Sequence, residues 1–133
     1  QNEARKDIWR SQLKNNAKSG YRSISLPSTE PPLKTGRWYR WYVKAYCKSQ
    51  AISSYYVQGW VNRVPLTSKL HTDLQKDIQK PHTVYVKHGI WYDAVNYLLS
   101  SNSSNPSNFA LERDWQNIME AGGLCDQQLP YIR

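Results

Sequence analysis

The sequence has few of the residues from which metal, redox or thiol chemistry is usually built. Its two cysteines, Cys47 and Cys125, lie far apart and form no metal-binding or redox motif. They could pair in an oxidising compartment, but two separate buried thiols fit the sequence equally well. The three histidines, His71, His82 and His88, are 11 and 6 residues apart, which matches no common zinc spacing. No metal and no cofactor are expected.

Membrane-spanning segments and familiar catalytic motifs are also missing from the sequence. No apolar run approaches the roughly 18 residues that a transmembrane helix needs. There is no nucleophile elbow, phosphate-binding loop or HExxH motif. The opening residues, QNEARKD, are polar and show no signal peptide, although a processed chain would look the same. The absence of any catalytic constellation favours a protein that is not an enzyme.

Positive charge, in contrast, is abundant and unevenly distributed. The chain of 133 residues carries a net charge of +8, and its length fits a single domain over residues 1–133. Residues 1–64 hold 12 Lys or Arg against 3 Asp or Glu, whereas residues 65–133 hold 6 against 7. We therefore predict a basic β part (1–64) and a helical part (65–133) that ends in a C-terminal tail. The basic excess indicates an anionic partner, unless it serves solubility alone.

Alternation of apolar and polar residues predicts about four strands in the basic part. These strands cover Lys6–Lys14, Tyr21–Leu26, Arg37–Lys48 and Ser54–Val64. The third and fourth are expected to pair as an antiparallel hairpin, and Gly59 indicates a bulge or a close backbone approach.

The third strand has the clearest alternation, and its two faces differ in character. One face, with Tyr39, Trp41, Val43, Ala45 and Cys47, is predicted to be core. The other is a ladder of cations between aromatic rings and is the candidate binding site: Trp38, Arg40, Tyr42, Lys44 and Tyr46. The ladder could be an exposed surface for sugars, single-stranded nucleic acid or a protein. It could instead be a second core layer, and burial is favoured because so much aromatic area is rarely left open.

After Pro65 the period changes to that of helices. Three are predicted: one over Leu66–Ile78 with Thr67 or Ser68 as N-cap, one from Pro81 to about Leu99, and one from about Pro106 to Ala121. The last two should form a helical hairpin, and His88 is expected to be a core residue of the second helix. The predicted fold is therefore α+β, with a small, mainly antiparallel sheet or sandwich half of about four strands followed by three helices.

Several motifs, in order and spacing, resemble a known family. They are SISLPS, PPLKTGRWYRWY, YVQGWVNRV, GIWYDAV and DWQNIMEAGGL, and together they span about Asp7 to Pro130. The chain resembles the cyanobacterial family known as domain of unknown function 928. It departs from that family after Cys47, where Lys48-Ser49 replaces the usual Asp-Pro, and it lacks the upstream sequence that most members carry. The resemblance implies a periplasmic, cell-envelope or secreted location and implies no reaction.

These observations favour a non-enzymatic binding or assembly module of the cell envelope or exterior. Its basic aromatic β surface would bind a protein or an anionic polymer, with polysaccharide favoured over nucleic acid. One alternative is an enzyme acting on an anionic polymer with Asp93 as the acid, although a bond from Asp93 to a neighbouring loop amide or to a Lys or Arg of the sheet is the better interpretation. Nucleic-acid binding is the other alternative. Asp73 and Asp77 supply too few ligands for a calcium site and are expected to be solvated.

Overall fold

The computed structural model describes residues 7–13, 23–46, 55–104 and 109–123. Within these residues there are two strands, β1 (Trp38–Ala45) and β2 (Tyr55–Asn62), and four helices: α1 (Ser68–Lys76), α2 (Pro81–Lys87), α3 (Trp91–Ser104) and α4 (Phe109–Ala121). The chain divides into two compact units. The hairpin unit, Ser28–Leu66, contains both strands, and the helical unit combines Gln1–Pro27 with Thr67–Arg133. The prediction of a single domain over residues 1–133 stays a prediction.

The prediction of about four strands and three helices is wrong. Residues 7–13 and 23–26 fall within the first two predicted strands, Lys6–Lys14 and Tyr21–Leu26, and form no strand. Of their apolar side chains, Ile8, Leu13 and Ile24 are exposed, whereas Trp9 and Leu26 are half-buried. Alternation makes a strand only when a neighbouring strand supplies hydrogen bonds and one face is buried. The described part of these segments has no strand partner, and its apolar side chains are at most half-buried.

The third and fourth predicted strands do pair, as β1 and β2. Their antiparallel register runs without a bulge from Trp38 opposite Asn62 to Ala45 opposite Tyr55. Both strands are shorter than the predicted Arg37–Lys48 and Ser54–Val64, although residues 47–54 lie outside the described residues.

The close approach at Gly59 is made by a side chain and not, as predicted, by a backbone. The indole of Trp41, directly opposite in the register, lies across the glycine. A Cβ at position 59 would be only 2.4 Å from the ring. The glycine therefore lets the indole cover the strand.

The face of β1 that was predicted to be core is only partly buried. Tyr39 and Trp41 are half-buried, whereas Val43 and Ala45 are exposed. Cys47 lies outside the described residues. Tyr39 is fixed locally, because its hydroxyl accepts a hydrogen bond from the backbone N–H of Lys34 at 3.0 Å. Alternation correctly assigns these side chains to one face but does not determine how much of that face is covered.

Thr67 caps α1, as predicted. Its hydroxyl oxygen accepts a hydrogen bond from the backbone N–H of Leu70 at 3.2 Å, which satisfies one of the donors left unpaired at a helix N-terminus. Leu70 is buried, but Leu66 and Ile78 lie outside the helix and are exposed.

The second predicted helix, Pro81 to Leu99, is interrupted and forms α2 and α3. Gly89 adopts a φ of 71°, a conformation that an α-helix cannot contain and that glycine reaches at little cost. His88 ends α2 as its C-cap, and the N–H of Ile90 turns back to the carbonyl of Tyr85 at 2.8 Å. The apolar periodicity continues through this turn, which is why the sequence pattern resembles one helix.

The core of the helical unit lies between α3 and α4. Its buried residues are Ala94 and Leu98 from α3 and Trp115, Ile118 and Met119 from α4. The indole N–H of Trp91 donates to the carbonyl of Ile118 at 3.2 Å, so the two helices are joined by a polar contact as well as by packing. None of the described helices is long and apolar enough to span a membrane.

Candidate functional site

One side of the β hairpin presents rings, cations and amides together, and we call it the basic aromatic face. It consists of alternate residues of β1 and their cross-strand partners in β2, which share a face because directly opposite residues point the same way. Its members are Trp38, Arg40, Tyr42 and Lys44, with Asn62, Trp60, Gln58 and Tyr56 opposite them. All except the half-buried Asn62 are exposed.

Arg40 is the ordered centre of this face. Its guanidinium carbon lies 5.0 Å from the ring centroid of Tyr42 and 5.5 Å from that of Trp60. One guanidinium N–H donates to the side-chain carbonyl of Gln58. Cation–π contacts of this kind contribute about 0.5–1 kcal/mol each at exposed sites. They hold the planar, five-donor guanidinium in place without burying its charge.

Beside Arg40 the face forms a shallow, open cleft. Its volume is about 590 Å³, and Trp38 and Trp60 line it. Both indoles are largely accessible, with 65% of Trp38 and 55% of Trp60 exposed. An open cleft between two broad aromatic surfaces suits a flat ligand segment better than an enclosed small molecule.

The structure brings four of the five predicted site residues, Trp38, Arg40, Tyr42 and Lys44, onto one face. The fifth, Tyr46, lies just beyond β1 and is 61% exposed. The prediction that this ladder is buried, which rested on its aromatic content, is therefore wrong. Pairing sets four residues of β2 beside them that were not in the predicted site, namely Tyr56, Gln58, Trp60 and Asn62. Their alternation was visible in the sequence, but the register that sets them beside Arg40 was not.

Asp93, the candidate catalytic acid, lies exposed in the first turn of α3. A negative charge at this position complements the positive end of the helix dipole. Among the described residues, no group of three or more His, Cys, Asp or Glu side chains is arranged to hold a metal ion. These observations give Asp93 a local electrostatic role in its helix.

A buried histidine that sequence reasoning missed is His82, at the start of α2. Only 2% of this residue is exposed. Its Nε2 atom lies 2.8 Å from the carboxylate of Asp114, and its ring stacks on that of Tyr97 with 5.3 Å between the ring centroids. Its Nδ1 is buried with no hydrogen-bond partner among the described residues. The two partners are 32 residues apart, so no local motif could have revealed the pair.

A second His–Asp pair links α1 to the end of α2. The Nε2 atom of His88 lies 2.8 Å from the carboxylate of Asp73, and the ammonium of Lys87 lies 3.7 Å from the same oxygen. The side chains of both members are slightly more than four-fifths buried, so Asp73 is not the solvated carboxylate that was predicted. Asp77, in contrast, ends α1 and accepts a hydrogen bond from Thr83 at 3.3 Å. His88 is thus held by a carboxylate and is not simply an apolar core residue.

The His88 pair makes the stability of the helical unit depend on pH in the acid range. The hydrogen bond from His88 lowers the pKa of Asp73 below its ordinary value of 3.8; burial opposes this effect, and the charge of Lys87 adds to it. Because this pKa is lower in the folded state than in the unfolded state, ionised Asp73 stabilises the fold. This stabilisation is fully present above pH 3.8 and is lost as the pH falls through the pKa of the folded state. We therefore expect Asp73→Asn to be less stable than the wild type above pH 5, with the difference shrinking below about pH 3.8.

Urea denaturation at a series of pH values between 2.5 and 6 measures this difference. The His88→Gln variant is the control background, because without the histidine the largest cause of the lowered pKa is gone. Adding Asp73→Asn to that background should change the pH dependence of the free energy of unfolding less than it does in the wild type. An equal change in both backgrounds would remove His88 from the explanation.

The comparisons with known proteins identify a family for the chain but give no activity. No curated protein and no solved structure shows significant similarity to it. A family described as a domain of unknown function, DUF928, matches residues 1–128. This match includes both strands and all four described helices, and it agrees with the resemblance carried by the sequence motifs. The chain therefore belongs to the DUF928 family.

Proposed function

We propose that this chain is a non-enzymatic binding or assembly module that captures a protein or an anionic polymer on the basic aromatic face. The observation that carries the proposal is the state of Arg40, which is exposed yet held between Tyr42 and Trp60 and bonded to Gln58. A side chain ordered before binding loses less entropy when a partner is bound. Exposed arginine and aromatic side chains are also the groups that most often dominate binding energy.

The charge distribution supports an anionic partner. The basic excess lies in residues 1–64, which include the hairpin. On the face itself, Arg40 and Lys44 stand on the same side of β1 and no acidic residue lies opposite them. The remaining positions are rings and neutral amides, so nothing on the face repels an anion.

The proposal includes a setting outside the cytoplasm, in the cell envelope or beyond it, in a cyanobacterium. Its support is the resemblance of the motifs to family members of that kind. Exposed aromatic rings that bind envelope components would suit this setting, and fractionation of the source cells with immunodetection of this chain would test it.

The function is tested with the variant Arg40→Ala/Tyr42→Ala/Lys44→Ala. Immobilised wild-type chain is incubated with an envelope extract of the source organism, and retained protein and retained uronic acid are both quantified. We expect the triple variant to lose most of the retained material, because it removes both cations and one ring from the face. Circular dichroism should show that its secondary structure is unchanged.

The matched control is Lys76→Ala/Lys80→Ala, which removes two exposed positive charges from the helical unit. If net charge alone caused retention, this control and the triple variant would lose similar amounts of material. Retention by the control and loss by the triple variant support the proposal. Undiminished retention by the triple variant would refute it.

A further inference from the structure

We infer that the partner is an acidic polysaccharide, bound with sugar rings over Trp38 and Trp60 and with a ring carboxylate on Arg40. This inference rests on the proposed function, since it names the ligand class of the same face. It follows from three properties of the face: the placement of its rings, the geometry of its central cation, and the ratio of cations to neutral polar groups.

The two tryptophans provide a pair of separate stacking positions. Trp60 lies opposite Arg40, and Trp38 lies two residues before Arg40 on the same face, so the indoles are diagonal neighbours across the hairpin. Diagonal positions on one face of an antiparallel pair are about 7–8 Å apart, which is far enough for the rings to contact successive units of one chain. The cleft that they line is open to solvent, so a polymer does not have to enter an enclosed cavity.

Arg40 lies beside both stacking positions and is suited to a carboxylate. The planar guanidinium donates two parallel hydrogen bonds to a carboxylate, a geometry that the point charge of a lysine does not reproduce. Because Tyr42 and Trp60 lie against the guanidinium and Gln58 accepts one of its hydrogens, the side chain is held at one orientation. A charged group carried on a ring stacked at Trp60 would meet it directly.

The balance of polar groups favours a sugar polymer over a nucleic acid. Nucleic-acid affinity comes mainly from many phosphate contacts made by Lys and Arg. The face offers only two cations, Arg40 and Lys44, together with two amides, Gln58 and Asn62. Amide side chains both donate and accept hydrogen bonds, which suits a ligand with several hydroxyl groups for each negative charge.

The test measures binding of the full chain to polygalacturonate by titration calorimetry at fixed ionic strength. The matched ligand is fully methyl-esterified polygalacturonate, which has the same rings without the charge, and a poly(dT) oligonucleotide represents nucleic acid. We expect polygalacturonate to bind and the ester to bind at least about tenfold more weakly. Trp38→Ala and Trp60→Ala should each weaken polygalacturonate binding about tenfold, as removal of a stacking ring does elsewhere.

Arg40→Lys keeps the positive charge at this position but removes the planar guanidinium. We expect it to weaken binding of polygalacturonate while leaving the weak binding of the ester unchanged. The control is Tyr55→Ala, which removes a 76% exposed ring from the opposite face of the hairpin and should bind as the wild type does. Melting curves establish that each variant is folded.

Three outcomes overturn the inference, and they bear differently on the proposed function. Tight binding of poly(dT) without binding of polygalacturonate would reject the polysaccharide but leave an anionic polymer on this face. Equal affinity of wild type, Trp38→Ala and Trp60→Ala for polygalacturonate would reject the site. Absence of polygalacturonate binding, with retention of envelope protein that depends on Arg40, Tyr42 and Lys44, would reject the polysaccharide in favour of a protein partner.

Discussion

Replacing Trp115 by alanine should lower the free energy of unfolding of the helical unit by about 3–5 kcal/mol, the usual cost of truncating a fully buried aromatic side chain. None of Trp115 is exposed, and it packs with Leu98, Ile118 and Met119 at the centre of the core. Alanine would leave a large cavity between α3 and α4. The loss is a large fraction of the total stability of a small protein. Urea denaturation followed by circular dichroism at the helical wavelengths measures it.

Trp38→Ala is the matched control, because it removes the same side chain from a position that is 65% exposed. We expect its free energy of unfolding to stay within about 0.5 kcal/mol of the wild type, as for most surface substitutions. Trp115→Phe keeps part of the buried volume and should fall between the wild type and Trp115→Ala. A loss for Trp115→Ala as small as that expected for Trp38→Ala would contradict the assignment of Trp115 to the core.

The second large effect is expected at Gly59, where alanine should weaken the hairpin by about 2–3 kcal/mol, near the upper end of the range for overpacked sites. The new Cβ would lie 2.4 Å from the indole of Trp41. Because a Cβ is fixed to the strand backbone, the indole must move away and give up its place across β2. A two-stranded hairpin is only marginally stable. Hydrogen exchange of the β1 and β2 amides should therefore become about 100-fold faster.

The double variant Gly59→Ala/Trp41→Thr identifies the cause of this effect. Threonine has no ring to collide with the new methyl group, and its β-branched side chain suits a strand. Adding Gly59→Ala to Trp41→Thr should therefore cost much less than adding it to the wild type. Equal costs in the two backgrounds would show that the loss of glycine itself, and not the collision, weakens the hairpin. Since the basic aromatic face exists only when β1 and β2 pair, Gly59→Ala should also weaken partner binding.

Much of the local structure could be predicted because its causes are local. The N-cap at Thr67 needs only a hydroxyl three residues before the backbone N–H that donates to it. The two faces of β1 follow from the two-residue period of a strand. The candidate residues Trp38, Arg40, Tyr42 and Lys44 share a face for this reason alone. The turn at Gly89 shows the limit of such reasoning, since the apolar spacing continues from α2 into α3 while the backbone changes direction.

Features that join distant parts of the chain could not be predicted in the same way. His82 meets Asp114, and His88 meets Asp73, only because separate helices pack together. The predicted first two strands failed for the complementary reason, since their alternation was present but no described strand pairs with them. Likewise, the amount of a face that is covered depends on its neighbours, which is why the ladder that the sequence favoured as buried is exposed.

The sequence by itself determined that the first half is basic and rich in aromatic residues, that Arg40 stands between rings on one face of a strand, and that no familiar catalytic motif is present. These properties depend on residue type and on spacing along one chain segment. Only the tertiary structure decided that the face is open, that Trp60 and Gln58 complete it, and that Arg40 is held in place between Tyr42 and Trp60. Those properties depend on strand register and on burial, which arise from contacts between segments that spacing within one segment does not encode.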